Sequence, residues 1–193
     1  HFEEDHIYYF GDNDLSIFSS DLSPGEGWIW ERIYAGDSFS YKIEATHLVE
    51  GDRPDSIRIR LRGITADVQN PDHHIRIYLN DSQIGDLHFD GIQEVLFNSA
   101  IPKGLLKSGN NTVRIQSVGD TGASRDAVYL DWIELSYNRS YVASDNYLVA
   151  QSPAAVRDTM VTYQVTLLHS SDILVYDLTD SLRIKTTKIE KYA

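Results

Sequence analysis

Apolar and polar residues alternate with a period of two along most of the chain. Ile57, Ile59 and Leu61 interleave with Arg58, Arg60 and Arg62. Ile75, Ile77 and Leu79 interleave with Arg76 and Tyr78, and Val113 and Ile115 with Arg114 and Gln116. Val161, Tyr163, Val165 and Leu167 repeat the pattern further on. Successive side chains of an extended strand point to opposite faces, so this pattern predicts half-buried antiparallel strands. Turn-forming residues separate the runs at 23–27, 35–37, 51–55, 69–72, Asn80-Asp81, Asp90-Gly91 and 107–111. Short strands at this spacing predict an all-β fold, an antiparallel β-sandwich of the jelly-roll kind, rather than a parallel sheet covered by helices. Only residues 100–106 and 153–157 look locally helical, each for about one turn.

The alternation breaks after a strong strand over residues 127–137, at the polar Asn138-Arg139-Ser140. The reading is a β-sandwich over residues 1–140 and a small β segment over 141–193. That segment is expected to hold strands at 147–150, 159–169, 173–178 and 182–189. About 50 residues are few for an independent core, so it is expected to pack on the sandwich or on a neighbouring domain.

Charge narrows the class of partner. Lys and Arg total 17 against 29 for Asp and Glu, a formal net charge of −12. Phosphate binding needs a concentrated basic surface, so nucleic acid is excluded and anionic membranes are disfavoured. There is no cysteine, which removes disulfides, thiolate metal sites and a cysteine nucleophile. No apolar run approaches the roughly 20 residues of a membrane-spanning helix. The chain starts at His1 with no signal-peptide pattern, and is expected to be a stretch of a longer exported polypeptide.

Candidate chemistry is sparse. Asp86, His88 and Asp90 alternate on one predicted strand and so share a face, which suits a loose metal cluster or a solvated polar face. His73 and His74 are adjacent on a strand, so their rings should point to opposite faces and not hold one ion together. Asp12 and Asp14 sit in an acidic N-terminal loop that is either solvated or the seat of a structural calcium. Trp28, Trp30 and Tyr34 form either an aromatic platform for a sugar or part of the core, and Trp132 reads as core. Arg58, Arg60 and Arg62 are a basic stripe, open to an anion or balanced by carboxylates such as those of Glu44 or Glu134. No nucleophile elbow, phosphate-cradling glycine loop or zincin pattern occurs.

Several stretches, in order, resemble the N-terminal non-catalytic region of gingipain-type cysteine peptidases, including the sortase-like members linked to type IX secretion. They are Gly27-Trp28-Ile29-Trp30-Glu31-Arg32-Ile33-Tyr34-Ala35 and His73-His74-Ile75-Arg76-Ile77-Tyr78-Leu79-Asn80. Then follow Gly109-Asn110-Asn111-Thr112-Val113, Val128-Tyr129-Leu130-Asp131-Trp132-Ile133-Glu134-Leu135-Ser136-Tyr137 and Ser171-Asp172-Ile173-Leu174-Val175-Tyr176-Asp177-Leu178-Thr179-Asp180. Closing strands like that of residues 130–135 also occur in carbohydrate-binding jelly rolls. The resemblance implies an accessory domain before a downstream peptidase domain of the same chain, exported to the bacterial periplasm, cell surface or medium. It implies no catalytic residue here, because the family's Cys and His lie in that downstream domain. Three functional expectations follow: a non-catalytic accessory segment, a carbohydrate-binding module with glycan as partner and a structural calcium, and a metal-dependent hydrolase on Asp86, His88 and Asp90.

Overall fold

The computed structural model of the chain describes residues 1–8, 28–150, 162–169, 173–177 and 185–186. The period-two runs at 57–62, 75–79 and 113–116 become strands with one dry face. Ile57, Ile59 and Leu61 are fully buried, while the three arginines between them stay partly exposed on the opposite face. In chain order the strands are β1 (Ile7–Tyr8), β2 (Trp28–Ile29), β3 (Glu31–Tyr34), β4 (Ser38–Ala45) and β5 (Ser56–Gly63). β6 (His73–Leu79), β7 (Ser82–Phe89), β8 (Glu94–Ala100), β9 (Gly109–Ser117) and β10 (Ala127–Ser136) follow. One four-stranded antiparallel sheet has the order β3-β10-β5-β8 and a second has the order β4-β9-β6-β7, with β1 and β2 as a separate pair. Ile33, Ile59, Leu61, Leu130 and Ile133 of the first sheet share one core with Ile43, Ile75, Ile77, Val113 and Ile115 of the second. Each such side chain contributes about 1.5–3 kcal/mol by leaving water. The fold is thus all-β, a two-sheet antiparallel sandwich, and the described residues include no helix.

Two bulges set which side chains face out. In β10, Val128 and Leu130 point inward, and so do Ile133 and Leu135, which lie on the opposite parity. The register shift between Leu130 and Trp132 against β5 absorbs the extra residue. Asp131 and Trp132 are thereby left off the core face. Trp132, expected as core, instead lies partly exposed, with Arg58 5.5 Å above its ring and His1 5.5 Å from its centroid. In the β6–β7 hairpin, Asn80 and Asp81 carry φ of 47° and 68°, the left-handed pair that a type I′ turn requires. A second register shift, between Ile77 and Tyr78, follows it.

Residues 100–106, expected as a helical turn, hold the last residue of β8 and then a turn, closed by the Leu105 amide donating to the Pro102 carbonyl at 3.0 Å. The loop expected at 107–111 is shorter, because β9 already begins at Gly109. There the buried Asn111 amide donates to the carbonyls of Lys107 and Gly109. Residues 153–157 lie outside the described residues.

The chain divides into two units, His1–Arg139 and Ser140–Ala193. In the second, Tyr176–Asp177 (β11) pairs with Lys185–Thr186 (β12). Thr166 makes a single parallel bridge with Val142, and Ser144 bridges Tyr147 around a turn with Asp145 and Asn146 at φ 51° and 61°. The strands expected over 147–150 and 159–169 do not form along the described residues. Leu167 takes a φ of 60°, which breaks an extended run. Of the strands expected over 173–178 and 182–189, the described residues show only β11 and β12.

Candidate functional site

Among the described residues, a group of side chains that could hold a metal ion gathers on the solvent face of the second sheet. β6 and β7 run antiparallel with His74 directly opposite His88 and Arg76 opposite Asp86. His74 and His88 stack, ring centroids 3.9 Å apart and 23° from parallel. His74 Nε2 lies 2.7 Å from Asp86 Oδ1, and its Nδ1 lies 2.6 Å from Asp120 Oδ1, on the loop between β9 and β10. His88 Nδ1 is 3.7 Å from the same Asp86 Oδ1. The other oxygen of Asp86 accepts from Arg76 Nε at 3.2 Å and Gln83 Nε2 at 3.0 Å. The bond to His74 is the main cause that holds both Asp86 and Asp120 below the usual carboxylate range.

The His74 side chain is 3% exposed, against 51% for that of His88. His74 is thus packed into the sheet, while the His88 ring stacked on it is half exposed. Ligand atoms of His74, Asp86 and His88 all lie within 4.8 Å of one another.

Asp90, expected in this group, is not part of it. It follows the end of β7, and one of its oxygens is buried without a hydrogen-bond partner. His74 takes its place. The expectation that His73 and His74 face opposite ways agrees with the structure: His73 is fully buried beside Phe89 at 4.8 Å, on the core side. There His73 Nδ1 meets Asp126 Oδ1 at 2.7 Å, and Ser117 Oγ donates to Asp126 Oδ2 at 3.1 Å. Burial disfavours the charged His73 ring, but the hydrogen bond with Asp126 and the charge of Asp72 outweigh it and raise its pKa.

Asp72 and Asp67 knit the adjoining loops. Asp72 Oδ1 accepts from the Gly91 amide at 2.7 Å and its Oδ2 from the Asp67 amide at 2.9 Å. Asp67 Oδ2 accepts from the amide and the hydroxyl of Ser124 at 3.0 and 2.6 Å. A calcium ion wants six to eight oxygens. At this end of the sandwich the carboxylates of Asp67, Asp72 and Asp126 each accept hydrogen bonds from protein donors. Asp12 and Asp14, the other calcium candidates, lie outside the described residues.

The aromatic candidates separate. Trp30 is 5% exposed and packs on Tyr41 at 4.5 Å, so it belongs to the core rather than to a sugar platform. Trp28 and Tyr34 are exposed. The chain bends at Trp30, between the two-residue β2 and β3, which puts the indoles in different environments despite their i, i+2 spacing. The arginine stripe is balanced across the strands: Arg58 meets Glu134 at 3.2 Å, and Arg60 meets Glu94 at 2.6 Å and Asp131 at 3.3 Å. Glu44 stands on β4 in the other sheet and is not among these partners.

The residues that sequence reasoning missed are His74 and Asp120. The signal for His74 is parity. With Ile75, Ile77 and Leu79 inward on β6, and Leu87 and Phe89 inward on β7, even-numbered residues of both strands face out together. Nothing in the sequence near Asp120 marks it, because a loop places it.

No protein-family model matches the chain, and no curated protein matches it. Among solved structures it is similar to a family 36 carbohydrate-binding module in complex with calcium and xylotriose: 19% identity, 54% of this chain and 78% of that one, TM-score 0.40. It is similar to a family 35 carbohydrate-binding module from an environmental isolate, with 21% identity, 70% of this chain and 92% of that one, and TM-score 0.42. It is also similar to part of dimeric latent PorU from Porphyromonas gingivalis: 12% identity, 62% of this chain, TM-score 0.49. The chain spans 12% of the length of PorU.

Proposed function

We propose that this chain is a non-catalytic accessory segment of an exported gingipain-type cysteine peptidase, positioned against the catalytic domain of the same polypeptide. The observation that carries the reading is the apolar surface of the second unit. Tyr147, Val149, Leu167, Leu174 and Tyr176 are 70%, 62%, 56%, 74% and 52% exposed. Large apolar side chains left exposed in this number favour packing of the unit against another protein surface. The sandwich before it has a complete core of its own, and the chain has no Cys. Catalysis is therefore assigned to the neighbouring domain. Peptide hydrolysis by the isolated 193-residue chain is the test: no turnover is expected, and turnover abolished by substitution within the chain would end the reading.

A second reading, glycan binding, is favoured by the solvent face of the second sheet. Arg114 lies 3.6 Å over the ring of Tyr78, with Gln116 and Arg76 in the next row and Gln83 beside Tyr78. Guanidinium and amide groups around one aromatic ring offer directional hydrogen bonds to sugar hydroxyls. Glycan-array binding that Arg114→Ala abolishes would support it; an array with no hits would remove it.

A further inference from the structure

We propose that His74 Nε2, Asp86 Oδ1 and His88 Nδ1 form a binding site for a divalent transition-metal ion of the zinc–copper class, with Asp120 as the positioning residue behind His74. The site goes beyond the accessory role and does not depend on it.

The donor set selects the ion. Two imidazoles and one carboxylate suit zinc, copper and nickel, whereas calcium and magnesium demand more oxygens. Distances fit with small movements. Zinc bonds of about 2.0–2.1 Å in a tetrahedron place donor atoms roughly 3.4 Å apart. The structure has 2.7 Å between His74 and Asp86, 3.7 Å between His88 and Asp86, and no pair beyond 4.8 Å. An ion replaces the proton shared between His74 Nε2 and Asp86 Oδ1 and pushes those atoms slightly apart. The exposed His88 ring turns out of its stack to aim Nδ1 at the ion.

Two of the three ligands, His74 and Asp86, are held from behind. Asp120 Oδ1 accepts a hydrogen bond from His74 Nδ1–H at 2.6 Å, the carboxylate–histidine arrangement that leaves Nε2 free to bind a metal. Arg76 and Gln83 occupy Asp86 Oδ2 and leave Oδ1 toward the imidazoles. The fourth side of the ion faces solvent, because Asp86 and His88 lie on the open face of an edge strand.

The test is calorimetric titration of the untagged 193-residue chain with zinc chloride, together with the visible absorption of added Co²⁺. The wild-type chain is expected to bind one Zn²⁺, and Co²⁺ to give the intense absorption of a four-coordinate site. His88→Ala, at an exposed position that leaves the core intact, should weaken binding by at least about tenfold and quench the Co²⁺ band. Asp120→Asn should weaken binding roughly 10- to 100-fold while keeping the same stoichiometry. His47→Asn, away from the site and compatible with the φ of 56° at that position, should change nothing. Absence of Zn²⁺ binding by the wild-type chain overturns the proposal, as does binding unaltered by both His88→Ala and Asp120→Asn. A preference for Ca²⁺ over Zn²⁺ overturns the assigned class of ion.

Discussion

Asp126 is the side chain whose loss should cost the sandwich most for the fewest atoms removed. Its carboxylate is tied on both oxygens, to His73 Nδ1 at 2.7 Å and to Ser117 Oγ at 3.1 Å, and all three residues are buried. Through these bonds it fastens the start of β10 to the ends of β6 and β9. Asp126→Ala removes a buried charge-assisted bond and leaves the His73 ring facing only Thr65 O at 3.2 Å and Asp72 at 3.4 Å. Breaking a buried charged pair by deleting one partner costs about 3–5 kcal/mol. For a unit of this size each kcal/mol is worth roughly 3–4 °C, so the melting temperature should fall by about 10–20 °C. Ser117→Ala deletes one neutral donor and should cost only about 1 kcal/mol. Thermal denaturation followed by circular dichroism checks both. A loss under about 3 °C for Asp126→Ala, or equal losses for the two variants, would refute the reasoning, since either would mean the His73–Asp126 bond contributes little.

Three more outcomes follow from single contacts. Tyr41 packs on Trp30 with its hydroxyl buried and unpartnered, and burial, then Glu31, push its pKa up. Tyr41→Phe should therefore raise stability by about 1 kcal/mol in urea denaturation. A Cβ on Gly85 would stand 2.7 Å from Phe97, so Gly85→Ala should destabilise by roughly 1–3 kcal/mol, with much of the loss recovered when Phe97→Leu is added. Asp67 is held at about 2, first by the Ser124 hydroxyl and then by backbone amides. Its stabilising contribution is thus present above about pH 4 and lost as pH falls toward 2. Ser124→Ala should move the Asp67 pKa up toward its ordinary value in a carboxyl NMR titration.

The sandwich was legible wherever one face of a strand is dry and the other wet, as in β5, β6 and β9, because burial imposes the period of two directly. It was less legible where a bulge changes the phase. Trp132 reads as core from its apolar neighbours, yet the extra residue in β10 turns it outward under Arg58. The same physics hid the grouping of His74 with Asp86 and His88. A two-residue turn at Asn80-Asp81 without a bulge would set His74 opposite Leu87, mixing the two faces; the shift between Ile77 and Tyr78 sets it opposite His88. Asp120 reaches His74 from a loop, where no periodicity reports position. Over residues 162–169 of the second unit alternation alone did not make a strand, because Leu167 takes a left-handed backbone and the bridge at Thr166 stands without a continuing ladder. Alternation specifies a strand only when a partner covers one face.

Hydrogen exchange read by mass spectrometry over residues 140–193 tests the accessory role most directly, comparing the isolated chain with the longer polypeptide proposed to carry it. The account predicts rapid exchange around Tyr147–Val149 and Leu174–Tyr176 in isolation and marked protection beside the catalytic domain, with the core strands β5 and β10 protected alike in both. Equal exchange of residues 140–193 in the two proteins would contradict it.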